Sequence, residues 1–391
     1  MFAVLSIARR LAGLIATLFA LLWLAACQPV VTGGGGPRIN ASAPVPVALL
    51  VPRGSQSPGD AILARHLENA ARLAIADLDG VRIDLRVYDT AGQPSQSAQA
   101  AKQAVNDGAR IILGPVFAAN ANAAGLAVLN RNVNVLSFSS TPAIAGGNVF
   151  ILGNTYDNTA NRLVGFARNQ GKGRIMIVHP DAPNGIDARN AIERAITRHG
   201  AQLAAVASYE LSQQGVINAV PEIARKARSS GAQSLFFTAD TAGALPFLAQ
   251  LLPENGVNSA TTQFVGMTRW DIPRSTLSMP GLQGGWFALP DPARATQFAQ
   301  RYSAAYGEPP HPIAGLAYDG IAAIGALVKS RGPDALTRQA LTQPAGFIGV
   351  NGIFRLLPDG TNERALAIAE VRDGDMVIIS PAPRSFGGAG F

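Results

Sequence analysis

The segment RIMIVHPDAPNGIDARNAIERAITRHGAQLAAVASY (Arg174–Tyr209) decides the fold class. Arg174–Val178 is a short, almost unbroken apolar run, the pattern of a strand covered on both faces. Asn184–His199 repeats Ala and Ile at helical spacing, and Gln202–Tyr209 returns to strand. Strand, helix and strand joined by short loops predict a parallel pair with a right-handed crossover.

The same alternation extends both ways. Downstream come helix Val216–Ser229, strand Ser234–Thr238, helix Gly243–Leu251 and strand Gln263–Met267. Upstream lies a similar series: strand Val45–Val51, helix Asp60–Leu78 capped by Asp60, and strand Val81–Tyr88. Helix Gln93–Asp107, strand Arg110–Gly114, helix Ala118–Asn130 and strand Val133–Phe138 complete it. Val81, Ile83, Leu85 and Val87 alternate with polar residues, which predicts an edge strand, whereas Arg110–Gly114 reads as central. After Trp286 the chain returns to helices (Ala293–Tyr306, Ile313–Arg331, Asp334–Leu341) and ends in strands (Gly352–Leu356, Ala365–Val371, Met376–Ile379). Two such series predict an α/β protein of two lobes, each a parallel sheet flanked by helices.

Composition supports this size. The 391 residues are 48% hydrophobic and 15% charged, which suits a folded chain and excludes bulk disorder. Only Leu11–Leu24 is long and uncharged enough to suggest a membrane element, so a polytopic membrane protein is excluded. The net charge of +7 comes almost wholly from scattered Arg, with no basic run interleaved with aromatics. A nucleic-acid groove is not expected. The single cysteine excludes an internal disulfide and a four-thiolate metal site.

That cysteine closes a leader. Arg9 and Arg10 precede the apolar run, and Leu24-Ala25-Ala26-Cys27 follows it. The arrangement resembles a bacterial lipobox, which implies cleavage before Cys27 and lipidation of its sulfur. Gln28 at the next position is the kind of residue that outer-membrane sorting would favour. Residues 1–26 are thus expected to be a lipoprotein signal peptide, and residues 27–44, with glycines 33–36, a flexible tether.

Catalytic signatures are missing: there is no Gly-x-Ser-x-Gly elbow and no His-Glu-x-x-His. His66, His179, His199 and His311 are far apart in sequence, and His199 ends a helix, where a cation suits the dipole. Neither enzyme activity, cofactor nor metal is expected. What remains are polar loops just beyond strand ends, where open parallel sheets place ligands. They carry Ser55, Asp89, Phe117, Ser139, Ser140, Thr141, Asn184, Asp240, Arg269 and Trp270.

Asp89-Thr90, ARIILGPV (Ala109–Val116), NVLSFSSTP (Asn134–Pro142), AYDGI (Ala317–Ile321), GVNGIFRLLPDG (Gly349–Gly360) and VRDGD (Val371–Asp375), in this order, resemble the leucine/isoleucine/valine-binding family. The resemblance implies the type I periplasmic-binding-protein fold, two lobes joined by three crossovers that close on a ligand. Lobe one is expected over residues 45–155 plus 287–343, lobe two over 156–286 plus 345–379, and a flexible tail over 380–391. It also implies a small polar ligand between the lobes, bound by the loop residues above with Tyr318 of AYDGI. Ser139–Thr141 would hold the ligand's anionic or polar end, faced by an Arg269 fork and a Trp270 wall. The chain departs from the amino-acid receptors at Val116-Phe117-Ala118, at Asn184-Gly185 and near Arg269-Trp270, where they carry Ser/Thr, Tyr-Gly and an acid. DTAGQPSQSAQAA (Asp89–Ala101), ILGPVFA (Ile112–Ala118) and the lipobox resemble penicillin-binding-protein activator lipoproteins. Two functions are therefore expected: a lipid-anchored periplasmic receptor feeding an ABC permease, or a regulator of peptidoglycan synthesis acting on a penicillin-binding protein.

Overall fold

The computed structural model describes residues 35–387, and those from Gly36 onward form one compact unit. Cys27, Gln28 and the leader lie outside the described residues. No helix among the described residues is long and apolar enough to cross a membrane.

The first sheet is built from β1 (Val45–Val51), α1 (Pro58–Ala76), β2 (Ile83–Asp89), α2 (Pro94–Asn106), β3 (Ile111–Leu113), α3 (Ala118–Val128), β4 (Asn134–Ser137) and β5 (Val149–Ile151). Its strands are all parallel in the order β2-β1-β3-β4-β5. The edge position of β2 and the central position of β3 follow the alternation in the first and the unbroken apolar run in the second. α1 buries Leu63, Leu67, Ala70, Ala71 and Ala74 along one stripe. It starts at Pro58 behind Ser57, so Asp60 sits in the first turn and is not the cap.

The chain then enters a second sheet through α4 (Tyr156–Asn169), β6 (Arg174–Pro180), α5 (Pro183–His199), β7 (Gln202–Tyr209), α6 (Gln213–Ser229), β8 (Ser234–Phe237), α7 (Leu245–Glu254), β9 (Gln263–Gly266) and β10 (Trp286–Leu289). It returns to the first lobe for α8 (Pro292–Tyr306), α9 (Gly315–Arg331) and α10 (Arg338–Leu341). A small antiparallel sheet follows, β11 (Phe347–Gly349), β12 (Gly352–Leu356) and β13 (Asn362–Arg364). β14 (Ala367–Arg372) and β15 (Asp375–Ser380) close the second sheet antiparallel, in the order β15-β14-β10-β9-β8-β6-β7. Apolar clusters cover both faces of each large sheet, as parallel strands require.

The chain crosses between lobes after β5, after β10 and between β13 and β14. Two crossings differ from the sequence expectation. Phe287–Leu289 pair with β9 and β14, so the second lobe runs past Trp286. Phe347, Phe354 and Leu356 pack into the first lobe's core, which moves the last crossing from about residue 344 to Ala365-Leu366. α4 has no counterpart in the sequence expectation, although Ala160, Leu163, Val164 and Ala167 form a buried stripe at helical spacing, with Asn158, Thr159 and Arg162 buried beside it.

The described parts of the tether and of the tail are held by the fold. Ile39 is buried and its N–H donates to Pro333 O at 2.9 Å, while Asn132 Nδ2 donates to Gly36 O at 2.9 Å. The part of the tether beyond Gly36 is thus packed down. In the tail, Arg162 donates to Ser380 Oγ at 2.6 Å and to Pro381 O at 3.2 Å. Arg355 lies over the Phe386 ring at 4.6 Å. Partners this distant in sequence cannot be read from a Pro/Gly-rich stretch.

Candidate functional site

The first crossover brings the lobes' polar loops together. Ser139 is buried; its Oγ accepts Thr141 N–H at 3.1 Å, and its N–H donates to Ser137 Oγ at 3.1 Å. Ser137 Oγ in turn donates to Pro115 O at 2.9 Å. Gly153 N–H donates to Ser139 O at 3.1 Å, and a Cβ on Gly153 would collide with that carbonyl. Ser139 therefore shapes the loop, while Ser140 and Thr141 are left exposed.

Ser140 and Thr141 form one wall of a cavity of about 360 Å³ whose other wall belongs to the second lobe. That wall carries Tyr156 from the start of α4 and Asn184, Asp187 and Arg194 from one face of α5. Asn184 Oδ1 accepts Gly185 N–H at 3.0 Å, which leaves its amide nitrogen toward solvent. Arg194 forks onto Asp157 at 2.9 and 3.0 Å, and that bond raises its already high pKa. Asp187 has no ion pair with any described residue. Burial, then Asp187 and Asp240, push the Tyr156 hydroxyl up, which places both carboxylates within electrostatic reach of the cavity. Burial and then Asp240 do the same to Tyr209, whose buried hydroxyl finds no partner among the described residues. One wall thus offers hydroxyls, and the other carboxylates together with Tyr156 and the Arg194 cation, which also feels Asp187.

Of the residues expected to bind ligand, Ser140, Thr141 and Asn184 meet in this cavity, and Asp240 acts on it through Tyr156. Ser55 accepts Ser57 N–H at 3.1 Å, Asp89 pairs with Arg53 at 3.3 Å, and Phe117 is 37% exposed at the start of α3. These three are strand-end residues outside the cavity wall.

Trp270 and Tyr318 are corrections. Trp270 is fully buried in the second lobe, tilted against Phe287 with ring centroids 6.1 Å apart. Gly266 and Gly285 make room for it: a Cβ on either would overlap the indole. It is a core residue and not a cleft wall. The Tyr318 hydroxyl donates to Asp77, the C-cap of α1. A helix between parallel strands runs antiparallel to them, so this end lies away from the strand carboxyl ends that hold the cavity. His199 does end α5, and burial, then Arg198 and Arg168, lower its pKa.

Arg269 lines a different cavity of about 210 Å³ at the hinge, and both arms of its fork grip Asp271. It does not face Ser139–Thr141. The same cavity meets Asn154, Pro290 and Leu366, one from each crossover, and Arg364 of β13. Around it the hinge is tied by buried polar groups. Asn362 Nδ2 donates to Ile151 O at 2.7 Å and Gly153 O at 2.8 Å, and its Oδ1 accepts Asn158 Nδ2 at 2.6 Å. Arg364 Nε donates to Leu152 O at 2.6 Å, and its Nη1 to Asp319 Oδ2 at 3.1 Å. Asp319 Oδ1 also accepts Val350 N–H at 2.7 Å, and burial raises its carboxyl pKa against the pull of Arg364.

The profile of a family described as periplasmic binding protein matches residues 44–375, nearly all of the described chain. The chain belongs to this family. Among solved structures, it resembles a branched-chain amino acid ABC transporter periplasmic ligand-binding protein from Burkholderia xenovorans LB400. The two share 20% identity and a TM-score of 0.68, over 88% of this chain and 97% of that one. It also resembles an ABC transporter substrate-binding protein from Desulfitobacterium hafniense in complex with Leu, at 18% identity and TM-score 0.64, over 86% and 100% of the two chains. An ABC transporter solute-binding protein from R. palustris, in complex with 4-hydroxybenzoate, matches at 16% identity and TM-score 0.60, over 88% and 98%. No curated protein matches the sequence. These likenesses share the periplasmic binding protein fold, α/β with helices covering both sheets.

In this light the sequence missed two groups. Tyr156 lay in the unread helix, whereas Asp187 could have been found three residues beyond Asn184 on the same helical face. Arg364 and Asn362 had no local signal, since their partners are more than 40 and 200 residues away.

Proposed function

We propose that this periplasmic binding protein is a lipid-anchored receptor that binds a small zwitterionic, amino-acid-like ligand between its lobes and delivers it to an ABC permease. The observation that supports it is the cavity shared by Ser140–Thr141 and by Tyr156, Asn184 and Asp187 of the other lobe. The Ser140 and Thr141 hydroxyls suit a carboxylate, and Asp187, with no ion pair among the described residues and with Asp240 nearby, suits an ammonium. A ligand that spans both walls binds the closed arrangement better than the open one, so it favours closure. The reading is of binding without turnover, with attachment through Cys27 to the periplasmic side of a membrane, the outer one by the Gln28 expectation.

Leucine, bound by the D. hafniense relative, is the first ligand to titrate. Calorimetry on the wild type should give saturable binding. Asp187→Asn should weaken it by about 1.5–3 kcal/mol, the range for a hydrogen bond to a charged group. Native mass spectrometry for a co-purified small molecule widens the search. A panel of amino acids without binding, and no co-purified molecule, would defeat the receptor.

A further inference from the structure

We propose that the end of lobe one where the tether emerges is a membrane-docking face, which recognises the anionic phospholipids of the bilayer that carries the anchor. The inference rests on the lipid-anchored part of the reading above and adds a second, electrostatic contact to it.

Gly36 follows Cys27 by nine residues, a reach of at most about 30 Å. Gly36 is fixed to one end of lobe one: its carbonyl accepts Asn132 Nδ2 at 2.9 Å, and Ile39 N–H donates to Pro333 O at 2.9 Å. That end carries the amino ends of the parallel strands and the last turn of α9. Arg82 O accepts Val45 N–H and Arg110 N–H donates to Pro46 O, so these arginines flank β1, two strands or about 10 Å apart. Arg131 precedes β4, the next strand, and Arg331 ends α9 two residues before Pro333.

All four arginines are exposed, and no described acid pairs with them. Arg82 and Arg131 donate to Ser42 O at 2.7 Å and Asn106 Oδ1 at 3.1 Å, which leaves the other donors of each fork without a protein acceptor. The acids around them are committed elsewhere: Asp334 to Arg38, Asp84 to Arg86, Asp79 to Lys329 and Asp77 to Arg301. Asp107 is the one without an ion pair, and it accepts the Tyr88 hydroxyl at 2.9 Å. Four unpaired guanidiniums thus stand against one unpaired carboxylate, and guanidiniums fork well onto phosphate. Leu126 of α3, 65% exposed, and Leu129 just beyond it, 47% exposed, lead into Arg131. Cations with exposed leucines among them match a bilayer surface, with phosphates outside and acyl chains beneath. A soluble anion would leave the leucines unused. The strands run from this face toward the first cavity, so docking turns the ligand loops away from the lipid.

The test reconstitutes the lipidated full chain into vesicles of phosphatidylcholine alone, and of phosphatidylcholine and phosphatidylglycerol in equal parts. Flotation with both kinds reports the anchor. Amide exchange reads the face: residues 78–82, 106–110 and 129–132 should exchange about threefold or more slower on the anionic vesicles, while residues 181–186, at the cleft, do not change. High salt should remove the difference. Arg110→Gln with Arg131→Gln should remove most of it and leave flotation intact. Arg168→Gln with Arg198→Gln, exposed cations of lobe two, should leave it unchanged. Equal exchange on the two vesicles, or a difference that survives Arg110→Gln with Arg131→Gln, would overturn the proposal. Protection by soluble peptidoglycan fragments in place of anionic vesicles would overturn it in favour of a cell-wall ligand. Flotation with neither vesicle defeats the anchor and the proposal with it, whereas flotation with unchanged exchange defeats the proposal alone.

Discussion

The Asp319–Arg364 pair sets the strongest single expectation for stability. Asp319 is fully buried and Arg364 nearly so, with 3.1 Å between Nη1 and Oδ2. Removing one member of a buried pair leaves an uncompensated charge and costs about 3–5 kcal/mol. Asp319→Asn keeps the acceptor for Val350 N–H but strands the guanidinium, so the full penalty is expected. Arg364→Met strands the carboxyl and also leaves Leu152 O unpaired, a further cost of about 1–3 kcal/mol. In the double variant neither charge remains, and its cost should fall to about that of the unpaired carbonyl. On these figures the coupling energy is about 6 kcal/mol or more. Urea unfolding at neutral pH measures all four corners of the cycle. The pH dependence carries a sign as well. Burial holds the folded Asp319 pKa above its ordinary value, and losing Arg364 removes an opposing influence. Its contribution to Arg364→Met is full below the ordinary carboxyl range and is lost as pH rises through the folded pKa, so this variant should recover on mild acidification. Single costs that simply add in the double variant would refute the reasoning.

Other expectations follow from other parts of the chain. Cys27→Ser should abolish metabolic palmitate labelling, since the thioether needs sulfur; equal labelling of both proteins would remove the lipobox. Burial lowers the pKa of His199 and His311 below the ordinary 6.5, so the stability they contribute is present above that value and is lost as pH falls through the folded pKa. Thermal unfolding should show a decline below pH 6.5 that flattens in His199→Gln with His311→Gln; an unchanged slope would reject it. Amide exchange should be faster across the edge strand β2 than across β3, and the reverse would contradict the sheet order.

Fold and site differed in how far the sequence disclosed them. Strands such as Ile175–Val178 and Ile111–Leu113 are buried on both faces, so their apolar runs are local and readable. β11 and β13 span three residues each and alternate buried with less buried positions, too short for that period to show. At the site, Ser140, Thr141 and Asn184 were readable because loops after parallel strands point toward one cleft. Trp270 misled because the two glycines that admit its ring are separated from it in sequence, at 266 and 285. Tyr318 misled because a motif fixes a helix and not the direction of each side chain on it. The hinge network of Asn362, Arg364 and Asp319 exists only once three crossovers are brought together, and no window of sequence contains it.

Closure on a ligand is the central claim, and small-angle scattering of the protein lacking its leader measures it most directly. With leucine and a panel of amino acids and cell-wall peptides, at least one ligand should reduce the radius of gyration of the wild type. Thr141→Ala, on one wall, and Asp187→Asn, on the other, should each lose that compaction, because a ligand held by one lobe alone has little preference for the closed state. If no ligand compacts the wild type while the protein still binds and stimulates a penicillin-binding protein, the receptor is contradicted and the regulator of peptidoglycan synthesis takes its place.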